Sequence, residues 1–194
     1  MKRISSLREI IFGLVFMGLL VLSIFATPWL ARAQENQPPT SERDTLMAAA
    51  LEIMEASRYC ALITLDPTGR PHARTMDPFP PENDMIIWFG TSSKSRKVKE
   101  IRHDPRVSLY YADPGGGGYV VIAGTAFLVD EAKEKQKRWK DEWEEFYSDQ
   151  KDNYILIKVI PENLEILSYK HGILGDAVTW RTPSIDFKTK ESKN

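Results

Sequence analysis

Tyr59-Cys60-Ala61-Leu62-Ile63-Thr64-Leu65-Asp66-Pro67-Thr68-Gly69-Arg70-Pro71-His72-Ala73-Arg74-Thr75-Met76 reads as strand, turn and returning strand. Both arms are rich in apolar and β-prone residues, and Asp66-Pro67-Thr68-Gly69 supplies the proline and glycine of a short reversal. A hairpin is antiparallel, and the pattern outward from it agrees. Asp77-Pro78-Phe79-Pro80-Pro81-Glu82-Asn83-Asp84 interrupts regular structure. Met85 to Phe89 predicts a strand, Lys94 to Arg102 a short helix, and Val107 to Ala112 and Tyr119 to Val129 two more strands. These last two flank Asp113-Pro114 and the glycines 115–118, a hairpin loop, and Gly124 marks a bulge or close approach. Upstream, Leu46, Ala50, Leu51 and Met54 recur at helical spacing from Thr40 or Ser41 to about Ser57. Downstream, Glu131 to Phe146 predicts a helix that docks Trp139 and Trp143 on a sheet. Asn153 to Ile160 and Leu164 to Ser168 follow as strands separated by Pro161-Glu162-Asn163. Six or seven strands and three helices point to a mainly β, α+β fold, an antiparallel sheet or barrel with peripheral helices.

The chain is 194 residues long, 42% hydrophobic and 27% charged, a globular balance that excludes disorder, collagen, coiled coil and a multi-span membrane protein. Lys2, Arg3 and Arg8 precede an apolar run from Ile10 to Ala26, and Ala31-Arg32-Ala33 places small residues at −3 and −1. Residues 1–33 therefore read as a secretory signal peptide cleaved before Gln34, with an uncleaved inner-membrane anchor as the alternative. Either way the domain is expected outside the cytoplasm, periplasmic or extracytoplasmic. Residues 34–44 read as a linker with Pro38-Pro39, 45–187 as one domain, and 188–194 as a polar tail. Without residues 1–33 the chain carries 22 basic and 26 acidic residues, which argues against a nucleic-acid binder. Cys60 is the sole cysteine, so no intramolecular disulfide or multi-cysteine metal site can form, and it reads as a small core residue. His72, His103 and His171 lack ligand spacing for a metal.

Gly90-Thr91-Ser92-Ser93-Lys94-Ser95-Arg96-Lys97-Val98-Lys99 is the stretch richest in chemistry. It follows a strand and opens a helix, yet it loads cations into the first turn, against a macrodipole that favours anions there by about 0.3–1 kcal/mol per charge. A bound phosphate would reverse that sign, with free backbone N–H groups, the Ser93 and Ser95 hydroxyls, Arg96 and Lys97 converging on it. A solvated basic helix is the plain alternative. Strand alternation puts His72, Arg74 and Met76 on one face, and Arg74 among sheet residues calls for solvent or an anion, with Asp77 or Glu82 as candidate partners besides a phosphate. Trp180, after the loop His171-Gly172-Ile173-Leu174-Gly175-Asp176, can cap a flat ligand or serve core or interface.

Taken together, Pro71-His72-Ala73-Arg74-Thr75-Met76, Trp88-Phe89-Gly90-Thr91 with Ser95-Arg96-Lys97, Asp104-Pro105-Arg106-Val107-Ser108-Leu109, Gly124-Thr125-Ala126 and Gly175-Asp176 with Thr179-Trp180 form a specific pattern. It resembles the pyridoxamine 5′-phosphate oxidase-related flavoproteins of the FMN-binding split-barrel superfamily, in the general stress protein branch. The resemblance implies a six-stranded antiparallel split barrel, a homodimer, and FMN at the subunit interface. It implies that Arg74, Ser95, Arg96 and Lys97 hold the FMN phosphate, and that Thr75, Met76, Gly90 and Thr91 line the isoalloxazine and ribityl groups. Tyr119 stands where the oxidase proper has a flavin-contacting glutamine, and Trp180 would reach a flavin from the partner chain. The arginine-x-histidine substrate signature of the true oxidase is absent near Trp180-Arg181-Thr182-Pro183. The expectation is an FMN-dependent oxidoreductase transferring hydride with a small molecule, its chemistry supplied by the flavin. The alternative is a protein that stores or senses flavin without turnover; a haem-binding relative would need an axial ligand that no histidine here obviously supplies.

Overall fold

The structure is a computed structural model describing residues 41–145, 147 and 153–187. The expectations for the leader 1–33, for residues 34–40 of the linker, for Phe146 as the helix end and for the tail 188–194 lie outside the described residues. Helix α1 (Glu42–Ser57) begins inside the stretch read as linker and leads into the hairpin of β1 (Cys60–Leu65) and β2 (Pro71–Met76). A 3-10 turn (Asn83–Met85), β3 (Ile87–Ser92), α2 (Arg96–His103), β4 (Arg106–Ala112) and β5 (Gly118–Val129) follow. Then come α3 (Ala132–Lys137), a 3-10 segment (Asp141–Glu145), β6 (Tyr154–Ser168) and β7 (Ser184–Asp186).

Every strand pairing is antiparallel, and the sheet runs β2-β1-β4-β5-β6-β3, with β7 added beside β6. Among the described residues the sheet has seven strands where the resemblance implied six. The additional one, β7, pairs Asn163 to Glu165 of β6 through three residues, too few to show an alternating pattern in sequence. One face carries the core: Leu62, Leu109, Ile122, Ile157 and Leu164 are fully buried, covered by Leu46, Ala49, Ala50, Ile53 and Met54 of α1. Leu51, expected in the helix stripe, is 42% exposed, and Ile53 takes its place.

The two strands expected from Asn153 to Ser168 are one. Pro161-Glu162-Asn163 does not end it, because the ladder shifts register between Ala123 and Gly124 opposite Pro161. There a Cβ on Gly124 would lie 2.4 Å from the Ile160 carbonyl oxygen, so the close-approach reading of that glycine holds. The helix expected over Glu131 to Phe146 stops after six residues at Lys137. Arg138 is drawn down onto Trp88, 3.6 Å from its ring centre, and Trp139 and Trp143 turn edge-on to Tyr154. These aromatics dock on the sheet as expected, but over Gly90, Trp88 and Leu156 and from a broken helix.

Strands β2 and β3 are the two ends of the main strand path, and helix α2 bridges them. Its Glu100 carboxylate accepts from Arg74 of β2, and its Lys97 ammonium donates to Thr91 of β3. The backbone of β3 alternates in what it offers. Ser93 N–H donates to Asn153 O and Phe79 N–H to Trp88 O, so Ile87, Phe89 and Thr91 bond to β6 while Trp88, Gly90 and Ser92 turn their amides to the open edge.

Candidate functional site

Ser95 occupies the N-cap position of α2 with extended backbone (φ −67°, ψ 153°), but its side chain makes no capping bond. Its Oγ is buried without a hydrogen-bond partner among the described residues. The first helical turn contains no acidic residue, leaving Arg96 and Lys97 beside free N–H groups.

Glu100, one turn further, gathers the cations. It is 3% exposed, and its Oε2 accepts from Thr64 Oγ1 at 2.5 Å and Arg74 Nη2 at 2.9 Å. Oε1 lies 2.6 Å from His72 Nδ1 and 3.3 Å from Arg96 Nε. Burial pushes its carboxyl up, but the bonds from Thr64 and His72 and the Arg74 charge outweigh that and hold it below the ordinary glutamate range. Arg74 Nη1 donates to Leu62 O at 3.1 Å and Thr64 Oγ1 at 2.6 Å, which leaves its Nε–H and one Nη2–H for a ligand.

The balance of charge is positive. Arg74 and Arg96 pair with one carboxylate, while the Lys97 ammonium lies 3.0 Å from Thr91 Oγ1. Desolvation lowers the Lys97 pKa first, and the neighbouring Arg74 charge lowers it further. Desolvation likewise lowers that of Arg74, with Arg96 adding to it against the opposing pull of Glu100. Added negative charge here would relieve that mutual repulsion.

The structure thus brings Arg74, Thr91, Ser95, Arg96 and Lys97 to one bridge between sheet edges. Asp77 and Glu82, the candidate partners for Arg74, are engaged elsewhere: Asp77 pairs with Lys140 at 2.7 Å and Glu82 with Arg138 at 2.5 Å. Met76 shares the inner face with Arg74 and is buried, whereas Thr75 is exposed on the opposite face of β2. Gly90 borders the open edge, and the space where its side chain would stand is filled by Trp143, 2.4 Å from an added Cβ. Tyr119 faces outward on β5 and stacks on Tyr110 with ring centres 5.8 Å apart. Trp180 is 81% exposed at φ +60°, on a loop where Asp176 Oδ1 accepts from the amides of Val178 and Thr179. Among the described residues, no hydrogen bond or ring contact links Tyr119 or Trp180 to the cations.

Sequence reasoning missed Glu100 and Thr64, and put Trp143 on the sheet without locating it over Gly90. The i,i+4 spacing of Arg96 and Glu100 was a usable signal for the first. The Cys60 reading agrees with its burial, which pushes the thiol up to about 12.

A family model described as pyridoxamine 5′-phosphate oxidase like matches residues 47–185. General stress protein 26 of Bacillus subtilis (strain 168) is 27% identical over 122 residues, spanning 61% of this chain and 85% of the relative. The crystal structure of general stress protein 26 from Bacillus anthracis str. Sterne superposes with a TM-score of 0.55 at 24% identity, covering 63% of this chain and 93% of that one. A pyridoxamine 5′-phosphate oxidase-related, FMN binding protein from Nostoc punctiforme PCC 73102 gives a TM-score of 0.54 at 16% identity, with 78% and 97% covered. The family model matches most of the chain and the sheet is antiparallel like that of its structural neighbours, and the chain belongs to the pyridoxamine 5′-phosphate oxidase-like family.

Proposed function

We propose that the protein binds FMN and acts as an FMN-dependent oxidoreductase on a small molecule. The observation that carries this reading is the buried Ser95 hydroxyl, unpartnered among the described residues, beside Lys97 and the two arginines, Arg74 and Arg96, that share the Glu100 carboxylate. That set fits a phosphate monoester: Ser95, Lys97, Arg96 and the two free N–H groups of Arg74 would hold it, with α2 backbone amides adding to the attraction. The Nostoc relative, called FMN binding, supports the same choice of ligand. The open edge of β3 offers the Gly90 amide and carbonyl to the polar edge of a flat ring. When bound, FMN would supply hydride or electron transfer. This chain's part is to bind and orient: Glu100 fixes Arg74, Thr91 positions Lys97, and Met76 forms apolar wall below.

The reading extends to a homodimer. Tyr110, Phe127 and Ile160 on the outer sheet face are 40%, 48% and 39% exposed, and Tyr119 lies among them, an apolar face that a second copy would cover. In such a dimer Trp180 would approach the partner's flavin. The reading also takes residues 1–33, with their charged, apolar and small-residue order, as an export signal and so expects the site outside the cytoplasm.

The test is an absorption spectrum of the purified protein before and after adding FMN, followed by anaerobic addition of NADH or NADPH. Flavin bands near one per chain that bleach establish a redox flavoprotein. Bands that no nicotinamide bleaches direct the reading to storage, sensing or another donor. Absence of FMN binding overturns it.

A further inference from the structure

We infer that a second cavity, between the C-terminal turn of α1 and the proline-rich loop after β2, binds a small apolar monocarboxylate. The cavity measures about 540 Å³, within the range of small-molecule pockets. Leu51, Met54, Phe79 and the loop prolines wall it, which suits an aromatic or aliphatic body.

Three polar observations define the head group. Arg58 lines the cavity, is exposed, and makes no ion pair among the described residues. It is held at φ +58°, a left-handed conformation at the helix end where glycine is the favoured residue. Its guanidinium lies 5.2 Å from the Tyr59 ring centre, an aromatic face that leaves the fork free for a planar anion. A second carboxylate in the wall, Asp77, is neutralised by Lys140 at 2.7 Å. Glu55, by contrast, has no ion pair among the described residues and adds one negative charge to the wall, which disfavours phosphates and dicarboxylates over a single carboxylate. Tyr111 also lines the cavity, but its hydroxyl is buried beside the Cys60 thiol and closed to a ligand there, so Arg58 supplies the head-group contact.

The site shares no residue with the cation cluster of α2, so this inference does not depend on flavin binding. The test uses the full-length chain and 3-phenylpropionate, with phenethylamine and 3-phenylpropanol as probes of equal body and different head. Chemical-shift perturbation or calorimetry should register the carboxylate and find the amine and alcohol weaker by about tenfold or more. Arg58→Gln should lose the same factor, and Arg58→Gly should lose it while keeping or raising the thermal midpoint, because glycine relieves the left-handed backbone. The retained midpoint excludes misfolding as the cause. No binding of 3-phenylpropionate, equal binding of the amine, or unchanged affinity in both Arg58 variants overturns the proposal.

Discussion

Replacing Glu100 by glutamine removes the one carboxylate that Arg74, Arg96 and His72 share while keeping the side chain's shape. The Arg74 bond is charge-assisted and worth about 1.5–3 kcal/mol. The Arg96 pair adds little, about 0–1 kcal/mol, because that side chain is 66% exposed. Thr64 and His72 each lose an ionised acceptor, but the variant no longer buries a charge, which offsets part of the loss. The net expectation is destabilisation by about 2–3 kcal/mol, a fall of roughly 4–12 °C in thermal midpoint for a domain of this size. The same change should strengthen anion binding, since three cations then face no internal carboxylate. Thermal melts of wild type and Glu100→Gln with and without millimolar inorganic phosphate measure both effects, because a ligand that binds only the native state raises its stability with concentration. Phosphate should restore more of the midpoint in the variant than it adds to the wild type. A variant as stable as wild type and no more responsive to phosphate would refute the view that Glu100 is the internal counter-ion of an anion site.

Arg96→Ala should weaken FMN binding by about 1.5–3 kcal/mol, read from a flavin fluorescence titration, and unchanged affinity would remove Arg96 from the phosphate site. Gly90→Ala should destabilise by about 1–3 kcal/mol because its Cβ meets Trp143, and adding Trp143→Leu should recover much of that loss in denaturant melts; additive losses would contradict the contact. Asp66 and Asp104 are held at about 2 against an ordinary 3.8, the former by hydrogen bonds from Thr68 and Arg70, the latter by Arg106. A depressed carboxylate stabilises the fold above its ordinary value and loses that contribution as pH falls through the lowered one. Acid titration should therefore show stability declining from about pH 4 towards 2, less steeply in Asp66→Asn and Asp104→Asn; identical profiles would count against these assignments.

Much of this protein was legible in its sequence because the signals were local. The β1–β2 hairpin follows from strand patterning around Asp66-Pro67-Thr68-Gly69, and α2 with its cationic first turn follows from Ser95-Arg96-Lys97. Alternation along β2 was enough to put His72 and Arg74 on the face they occupy. What sequence could not decide were meetings between distant segments. Arg74 and Glu100 are 26 positions apart, and their pairing depends on α2 lying across two sheet edges, so the nearer carboxylates Asp77 and Glu82 were equally eligible in sequence. Pro161 did not break β6 because Gly124 on the neighbouring strand absorbed the register shift, a compensation invisible from either segment alone. Trp143 over Gly90 ended the helical pattern of residues 131–146 early, since burying aromatic surface on the sheet outweighed the local preference for another turn of helix. Local chemistry determined the residues of the candidate site; long-range packing decided which of them stand together.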